Sequence, residues 1–331
     1  MSATFPVPPP QPPPEASGLA PLVPSTLPTP PAMIMTPLPV RYEITHTTVY
    51  SYKKPVSFGE HRVMFRPRDS HDLRVLATSL AVSPESIVRM IQDPHSNSVA
   101  LVQPLSSSTE LRIVCKFVIE HANSNNLELP LSPSAEVFPF AYSVEERFDL
   151  EQYMRPHHDD PGGHLTAWAR QFIRTDGLTG TRDLLVKMNQ YIRDNFGYSS
   201  REDEGTQTPQ ETLKLNSGSC RDFALLMMEA ARRLGIAARF VSGYLYDPAL
   251  DGGTAGTTQG AGFTHAWLQT YLPGAGWVPF DPTNNLLGGN TLIRVGVARD
   301  PAHAAPVAGS WYGDKGDYLG MDVQVVVVKR R

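Results

Sequence analysis

Three side-chain types that cooperate in nucleophilic catalysis stand in order along this chain: Cys220, His265 and Asp281. A thiolate attacks a carbonyl only where a base has taken its proton, and that base works only where a third group orients it. Cys220 stands where the turn Asn216-Ser-Gly-Ser219 passes into an apolar-periodic run. There Phe223, Leu226, Met227, Ala230, Ala231 and Leu234 recur at three- and four-residue steps, which predicts a helix with one stripe toward a core. Ser219 suits the N-cap, Arg232 and Arg233 fall in the last turn, and Gly235 suits the C′ position. These signals put Cys220 in the first turn, where the helix dipole and unpaired amides favour a thiolate. Taken alone, such a cysteine reads as a buried packing residue. The partners downstream change that reading.

His265 lies in a strand-like run, residues 263–272, and Asp281 ends the next one, residues 277–281, with Pro273-Gly-Ala-Gly276 as the turn. A clean four-residue loop would set Asp281 opposite Leu268 and turn the two side chains to opposite faces of the sheet. An odd loop length or a bulge would return Asp281 to the face of His265, within diagonal reach. We therefore expect an irregular hairpin.

The elements that must carry these residues follow from the texture of the chain. Residues 1–39 hold 14 of the 31 prolines, a composition that stays extended without packing, so a disordered tail is expected. A partner with a proline-binding groove could use it. Residues 40–125 carry β-branched and aromatic runs at 41–50, 61–66, 73–82, 86–92, 98–102 and 110–120, separated by turn signals, and predict an antiparallel β domain. In the last run Leu111, Ile113, Cys115, Phe117 and Ile119 share a face, so Cys115 is a core residue. Residues 126–160 read as a connector. Residues 161–295 hold helical spacing at 165–174 and 182–196, a capping box with proline at Thr208-Pro209-Gln210-Glu211, the Cys220 helix, and strands at 236–246, 263–272 and 277–281. Residues 296–331 read as a loop and a closing strand at 321–328. Helices followed by strands in one block make the fold class α+β.

The segment Gly218-Ser-Cys220-Arg-Asp-Phe-Ala, with Ala231-Arg-Arg-Leu-Gly-Ile-Ala-Ala-Arg-Phe-Val-Ser-Gly-Tyr244, resembles the cysteine segment of the transglutaminase-like superfamily. Thr264-His265-Ala-Trp267, and Tyr271 through Trp277-Val-Pro-Phe-Asp281-Pro-Thr-Asn284, are similar to its histidine and aspartate segments. Residues 41–120 also resemble the β-rich domain that precedes this core in bacterial members. The resemblance implies a papain-like α+β core and acyl-transfer or amide-hydrolysis chemistry through a thioester. Carried over by position, it implies that Cys220 attacks an amide carbonyl, His265 moves the proton to the leaving amine, and Asp281 fixes the imidazole. The Cys220 amide is a natural oxyanion donor. Tyr198 is the candidate for a second donor. Trp267 shares the face of His265 and either walls the cleft or packs in the core. Transfer to an amine and hydrolysis by water share the acyl-enzyme and stay open. A binding or scaffold module that keeps the fold without catalysis is the alternative of a different class.

The totals set bounds. Among 331 residues, 41% are hydrophobic and 19% charged, with a net charge of −4. That balance gives no electrostatic case for nucleic acid or an anionic membrane. No apolar run approaches a membrane span. Two cysteines are no disulfide framework, so a reducing, cytoplasmic setting is expected. His157-His158-Asp159-Asp160 with His164, and Glu202-Asp203-Glu204, read as solvated loops rather than metal sites, and no phosphate or dinucleotide fingerprint is present. No cofactor is expected, and the expected partner is a protein or peptide substrate.

Overall fold

The strand-forming runs of the first third pair into two antiparallel sheets. In the first, β1 (Val40–Phe58) lies between β6 (Ser108–His121) and the C-terminal strand Tyr318–Arg330, and β3 (Leu73–Ser83) is added beyond β6. The second is built from β2 (His61–Val63), β5 (Ser98–Pro104) and β4 (Ser86–Gln92), in that spatial order. The computed structural model describes residues 39–122, 130–200, 205–251, 259–260, 262–288 and 291–330. The proline-rich tail, the acidic loop at 202–204 and most of the glycine- and threonine-rich loop after residue 251 lie outside them. Alternation along β6 is as the pattern requires. Leu111, Ile113, Cys115, Phe117 and Ile119 are all buried, with more exposed residues between them.

The stretch expected as a bare connector contains α1 (Val144–Met154), started by a capping box in which Ser143 and Glu146 bond each other's backbone amides. Then come α2 (His164–Arg170), α3 (Thr181–Asn195), α4 (Pro209–Leu215) and α5 (Cys220–Arg233). The Thr208–Glu211 capping box opens α4 as its spacing predicts. The third sheet follows: β7 (Ala238–Leu245), β8 (Thr264–Leu272), β9 (Gly276–Phe280) and β10 (Leu292–Ala298), in the spatial order β9-β8-β7-β10. The result is a mixed α+β core behind a β-rich N-terminal region.

Strand β10 falls where a loop was expected. Gly296 breaks its apolar run, and a Cβ there would press on the Met64 side chain, so the interruption records close packing rather than a turn. The last strand, β11 (Tyr318–Arg330), pairs with β1 from Arg41↔Arg330 to Tyr52↔Tyr318. Both ends of the described chain therefore close one sheet.

Helix α5 departs from the one-sided stripe of its sequence. Eleven consecutive residues from Asp222 to Arg232 are buried, polar ones included. The buried Glu229 carboxylate pairs with Arg232 at 2.8 Å and accepts the backbone amides of His157 and His158. Arg232 also donates to the carbonyls of Tyr153, Ala238 and Arg299. The Glu229 and Arg232 charges taken out of water there are paired and hydrogen-bonded, which is the condition for burying them. His157 and His158 are thus fixed through their backbone amides, and the His157 ring also lies against Arg299 and Asp300, at 3.4 and 4.0 Å. The apolar core runs without a break from Ile44 and Phe117 through Leu226 to Phe280.

Candidate active site

Cys220 is placed by the turn that precedes its helix. Asn216 adopts a left-handed conformation at the end of α4, and Ser217-Gly218 pair in parallel with Gly197-Tyr198. Ser219 then caps α5, and its amide and hydroxyl both donate to Asp222 Oδ2 at 2.8 Å. The other Asp222 oxygen accepts the Gln207 amide at 2.7 Å. This buried carboxylate locks the first turn and ties the preceding loop to it. Sequence reasoning passed over Asp222, although Ser219-x-x-Asp222 has capping-box spacing. Cys220 is the first helical residue, so its amide has no partner within the helix. Cys220 as a residue is 8% exposed.

The hairpin that carries His265 and Asp281 has an odd loop. Leu272 pairs with Gly276 and Leu268 with Phe280, leaving Pro273-Gly274-Ala275 as a three-residue connection. Gly274 and Gly276 take positive φ angles of 91° and 71°, which a side chain would oppose. The register continues to place Asp281 opposite Trp267, on the face of His265. Asp281 Oδ2 accepts from His265 Nε2 at 2.8 Å, with both side chains fully buried. The irregular hairpin expected from the sequence is present. Across β7, His265 pairs with Gly243, where a Cβ would collide with the Ile293 carbonyl and the Trp267 ring.

Asp281 is held from all sides. Its amide and carbonyl bond Leu286, its Oδ1 accepts the Thr283 amide at 3.0 Å, and its Oδ2 also accepts Asn284 Nδ2 at 3.0 Å. Burial alone would raise its pKa, but the His265 charge and these hydrogen bonds outweigh it and hold the carboxyl ionised. For His265, burial opposes the charged form. The Asp281 charge and hydrogen bond, reinforced by the Cys220 thiol, reverse that and raise the imidazole above its ordinary value. A carboxylate only accepts, so Nε2 carries its proton in either state of the ring. Nδ1 is buried and makes no hydrogen bond. It is the nitrogen left for the thiol, which lies near enough to act on the ring's charge.

Two further residues stand close by. Asn284, which sequence reasoning did not single out, also accepts the Gln259 amide and donates to its carbonyl, at 2.9 and 3.1 Å. It thereby joins the aspartate to the chain at Gly260, which runs against the Nδ1 edge of the ring. An amide three residues after a buried aspartate was the signal available. Tyr198, held by the Gly218 pairing, is half-buried. Burial first, and then the Cys220 charge, push its hydroxyl up to about 12, partly offset by Arg221, so it stays a donor.

Trp267 does not line a cleft. It is 1% exposed, stacked on His265 with ring centroids 6.0 Å apart, and enclosed by Val241, Leu245, Leu292 and Val297. It shares the histidine's face but sits one pair deeper in the sheet, so it backs the ring instead of facing solvent. Among the described residues, no group of three or more His, Cys, Asp or Glu side chains is placed to hold a metal ion.

Known proteins match both halves of this architecture. Residues 166–282 match the transglutaminase-like superfamily, and residues 42–120 match the bacterial transglutaminase-like N-terminal region. An uncharacterized protein of Mycobacterium leprae is 26% identical over 285 residues, covering 86% of this chain and 98% of its own. Another, of Mycobacterium tuberculosis, is 27% identical over 301 residues, covering 87% and 92%. Among solved structures, "a Putative Cysteine Protease from Cytophaga hutchinsonii" superposes with a TM-score of 0.64 at 19% identity, covering 88% of this chain and 92% of that one. At that identity the likeness establishes the fold.

Proposed function

This chain carries a transglutaminase-like core behind a bacterial transglutaminase-like N-terminal region, and from that premise we propose that it is a thiol enzyme acting on amide bonds through Cys220, His265 and Asp281. The observation that carries the reading is the buried His265–Asp281 pair, with Nε2 committed to the carboxylate and Nδ1 left for the thiol. The thiol proton passes to Nδ1, and the thiolate sulfur attacks the carbonyl carbon, pushing the π electrons onto oxygen. The Cys220 amide receives that oxyanion, and the Tyr198 hydroxyl is the second donor within the same neighbourhood. Collapse of the adduct restores the carbonyl as a thioester and expels the amine, which leaves with the proton from His265. Water or a second amine then attacks the thioester, His265 takes its proton, and the thiol is regenerated. Asp281 stabilises the imidazolium at each stage without becoming protonated.

The substrate in this reading is a protein or peptide. We place the enzyme in a reducing, cytoplasmic setting, because both cysteines are free and the chemistry needs one of them as a thiol. The proline-rich tail remains a candidate ligand for a proline-binding partner.

The test is incubation with a panel of glutamine-containing peptides, with and without a primary amine, beside the Cys220→Ala variant. Ammonia release with amine incorporation identifies transfer, and backbone cleavage identifies a peptidase. Loss of either in Cys220→Ala supports the reading. Turnover that survives the substitution, or no turnover across the panel, overturns it in favour of a scaffold.

A further inference from the structure

The two N-terminal sheets end in β3 and β4, the edge strands beyond β6 and β5. Pairing fixes which side chains face inward there. Thr78 and Leu80 oppose Phe117 and Cys115 of β6, and Val88 and Met90 oppose Val102 and Ala100 of β5. The four β6 and β5 residues are buried in the core. Their partners on the same faces are not: Val88 is 40% exposed and Met90 54%. A cavity of about 860 Å³ occupies the space, with Cys115 among its lining residues. That volume lies in the range of small-molecule sites. Apolar groups turned inward yet left wet are the mark of a surface awaiting a ligand.

The lining is asymmetric in charge. Arg66 and Arg68 contribute to it, while Asp69 is its acidic member. Asp69 Oδ1 accepts the Val75 amide. Arg66 reaches Ser98 Oγ at 3.5 Å, and among the described residues neither arginine makes an ion pair. Two guanidinium groups beside an apolar chamber describe the complement of an anionic amphiphile.

We propose that this cavity binds a monomeric long-chain carboxylate, its hydrocarbon between β3 and β4 and its head group on Arg66 and Arg68. A peptide suits the space less well. The inner faces of the sheets offer side chains: β5 and β6 have a strand on each side, and the free edges of β3 and β4 point along the planes of their sheets rather than into the space between them. A peptide backbone drawn between the sheets would bury unpaired polar groups, a cost a hydrocarbon chain does not incur. The site is separate from Cys220, and the proposal does not depend on the activity proposed above.

Titration of the full chain with the fluorescent fatty acid cis-parinaric acid tests it. Saturable binding is expected, displaced by laurate and at least tenfold less effectively by dodecylamine, which has a chain of the same length and a cationic head. Arg66→Glu with Arg68→Glu should weaken binding at least tenfold. Met90→Glu, at a half-exposed position that does not threaten folding, should do the same, with circular dichroism unchanged in both. Equal displacement by laurate and dodecylamine, binding insensitive to these substitutions, or no saturable binding would overturn the proposal. So would co-sedimentation with phosphatidylglycerol vesicles in the absence of free fatty acid binding, which would mark a membrane-binding surface instead.

Discussion

At the scale of single residues, the two cysteines are distinguished by their surroundings. Burial pushes the Cys115 thiol up to about 11, only partly offset by its hydrogen bond to Thr78 and the charge of Arg66, so it stays protonated and inert at neutral pH. Cys220 has an imidazole beside it. Iodoacetamide at pH 7 is therefore expected to modify Cys220 and spare Cys115, as peptide mass mapping would read. Asp281→Asn should slow that modification by about tenfold or more, because the imidazolium that pairs with the thiolate loses its counter-charge. Tyr198→Phe should separate the steps, leaving alkylation intact while lowering turnover by roughly 10²-fold, the typical loss for one oxyanion donor. Equal alkylation of both cysteines would remove the basis for a nucleophile. The pair also has a pH signature. His265, raised on folding, contributes stability that is full below its unfolded pKa and fades as pH rises through the folded value. Asp281, lowered, contributes above its unfolded pKa and fades in acid. The melting-temperature gap between the native chain and Asp281→Asn should accordingly be widest from about pH 4 to 6.5 and narrow toward alkaline pH.

At the scale of elements, the site depends on one loop length. The three-residue turn Pro273-Gly274-Ala275 puts Asp281 on the face of His265, and adding one residue would turn every later β9 side chain over. A glycine inserted after Gly274 should abolish turnover and slow alkylation as Asp281→Asn does, while far-ultraviolet circular dichroism stays near native. An unaffected enzyme would show that the hairpin register is not what aligns the pair. Asn284→Ala should be milder. It leaves the His265 bond in place but frees both Asp281 and the chain at Gln259, so a several-fold fall in turnover with a shifted pH profile is expected. Much of this was legible in advance. Turn glycines, β-branched runs, the capping box at Thr208 and the N-cap at Ser219 are local signals, and they located the Cys220 helix and the hairpin within a residue or two. The irregular register was legible too, because only one parity serves a paired histidine and aspartate. What escaped was non-local. The side chains that press on Gly296, the amide of Asn284 turned toward a loop, and the burial of α5 on all sides depend on segments remote in sequence.

At the scale of the molecule, the β-rich region and the core are joined by a polar contact that should set the acid limit of stability. His46 on β1 bonds the Tyr244 hydroxyl of β7 at 2.8 Å through Nδ1 and Thr48 Oγ1 at 3.0 Å through Nε2, and it stacks on Phe65. The Tyr244 hydroxyl donates a hydrogen bond to the Phe65 carbonyl at 3.3 Å, which leaves Nδ1 as the donor to that hydroxyl and Nε2 as the acceptor from Thr48. The ring is therefore neutral in the fold, and burial pushes its pKa down to about 3. The unfolded chain takes up a proton near pH 6.5 that the folded chain refuses, so this residue destabilises the fold increasingly as pH falls from there toward 3. The slope from one such group approaches about 1.4 kcal/mol per pH unit. Replacing His46 by Gln keeps a donor and an acceptor but cannot charge. His46→Gln should cost stability at pH 7 through imperfect packing, yet lose less than the native chain between pH 6.5 and 4 in urea-denaturation series. Parallel pH curves for the two proteins would show that the link between the β-rich region and the core does not titrate. Converging curves would identify one buried imidazole as the point at which acid parts the region that holds the cavity from the core that holds the thiol.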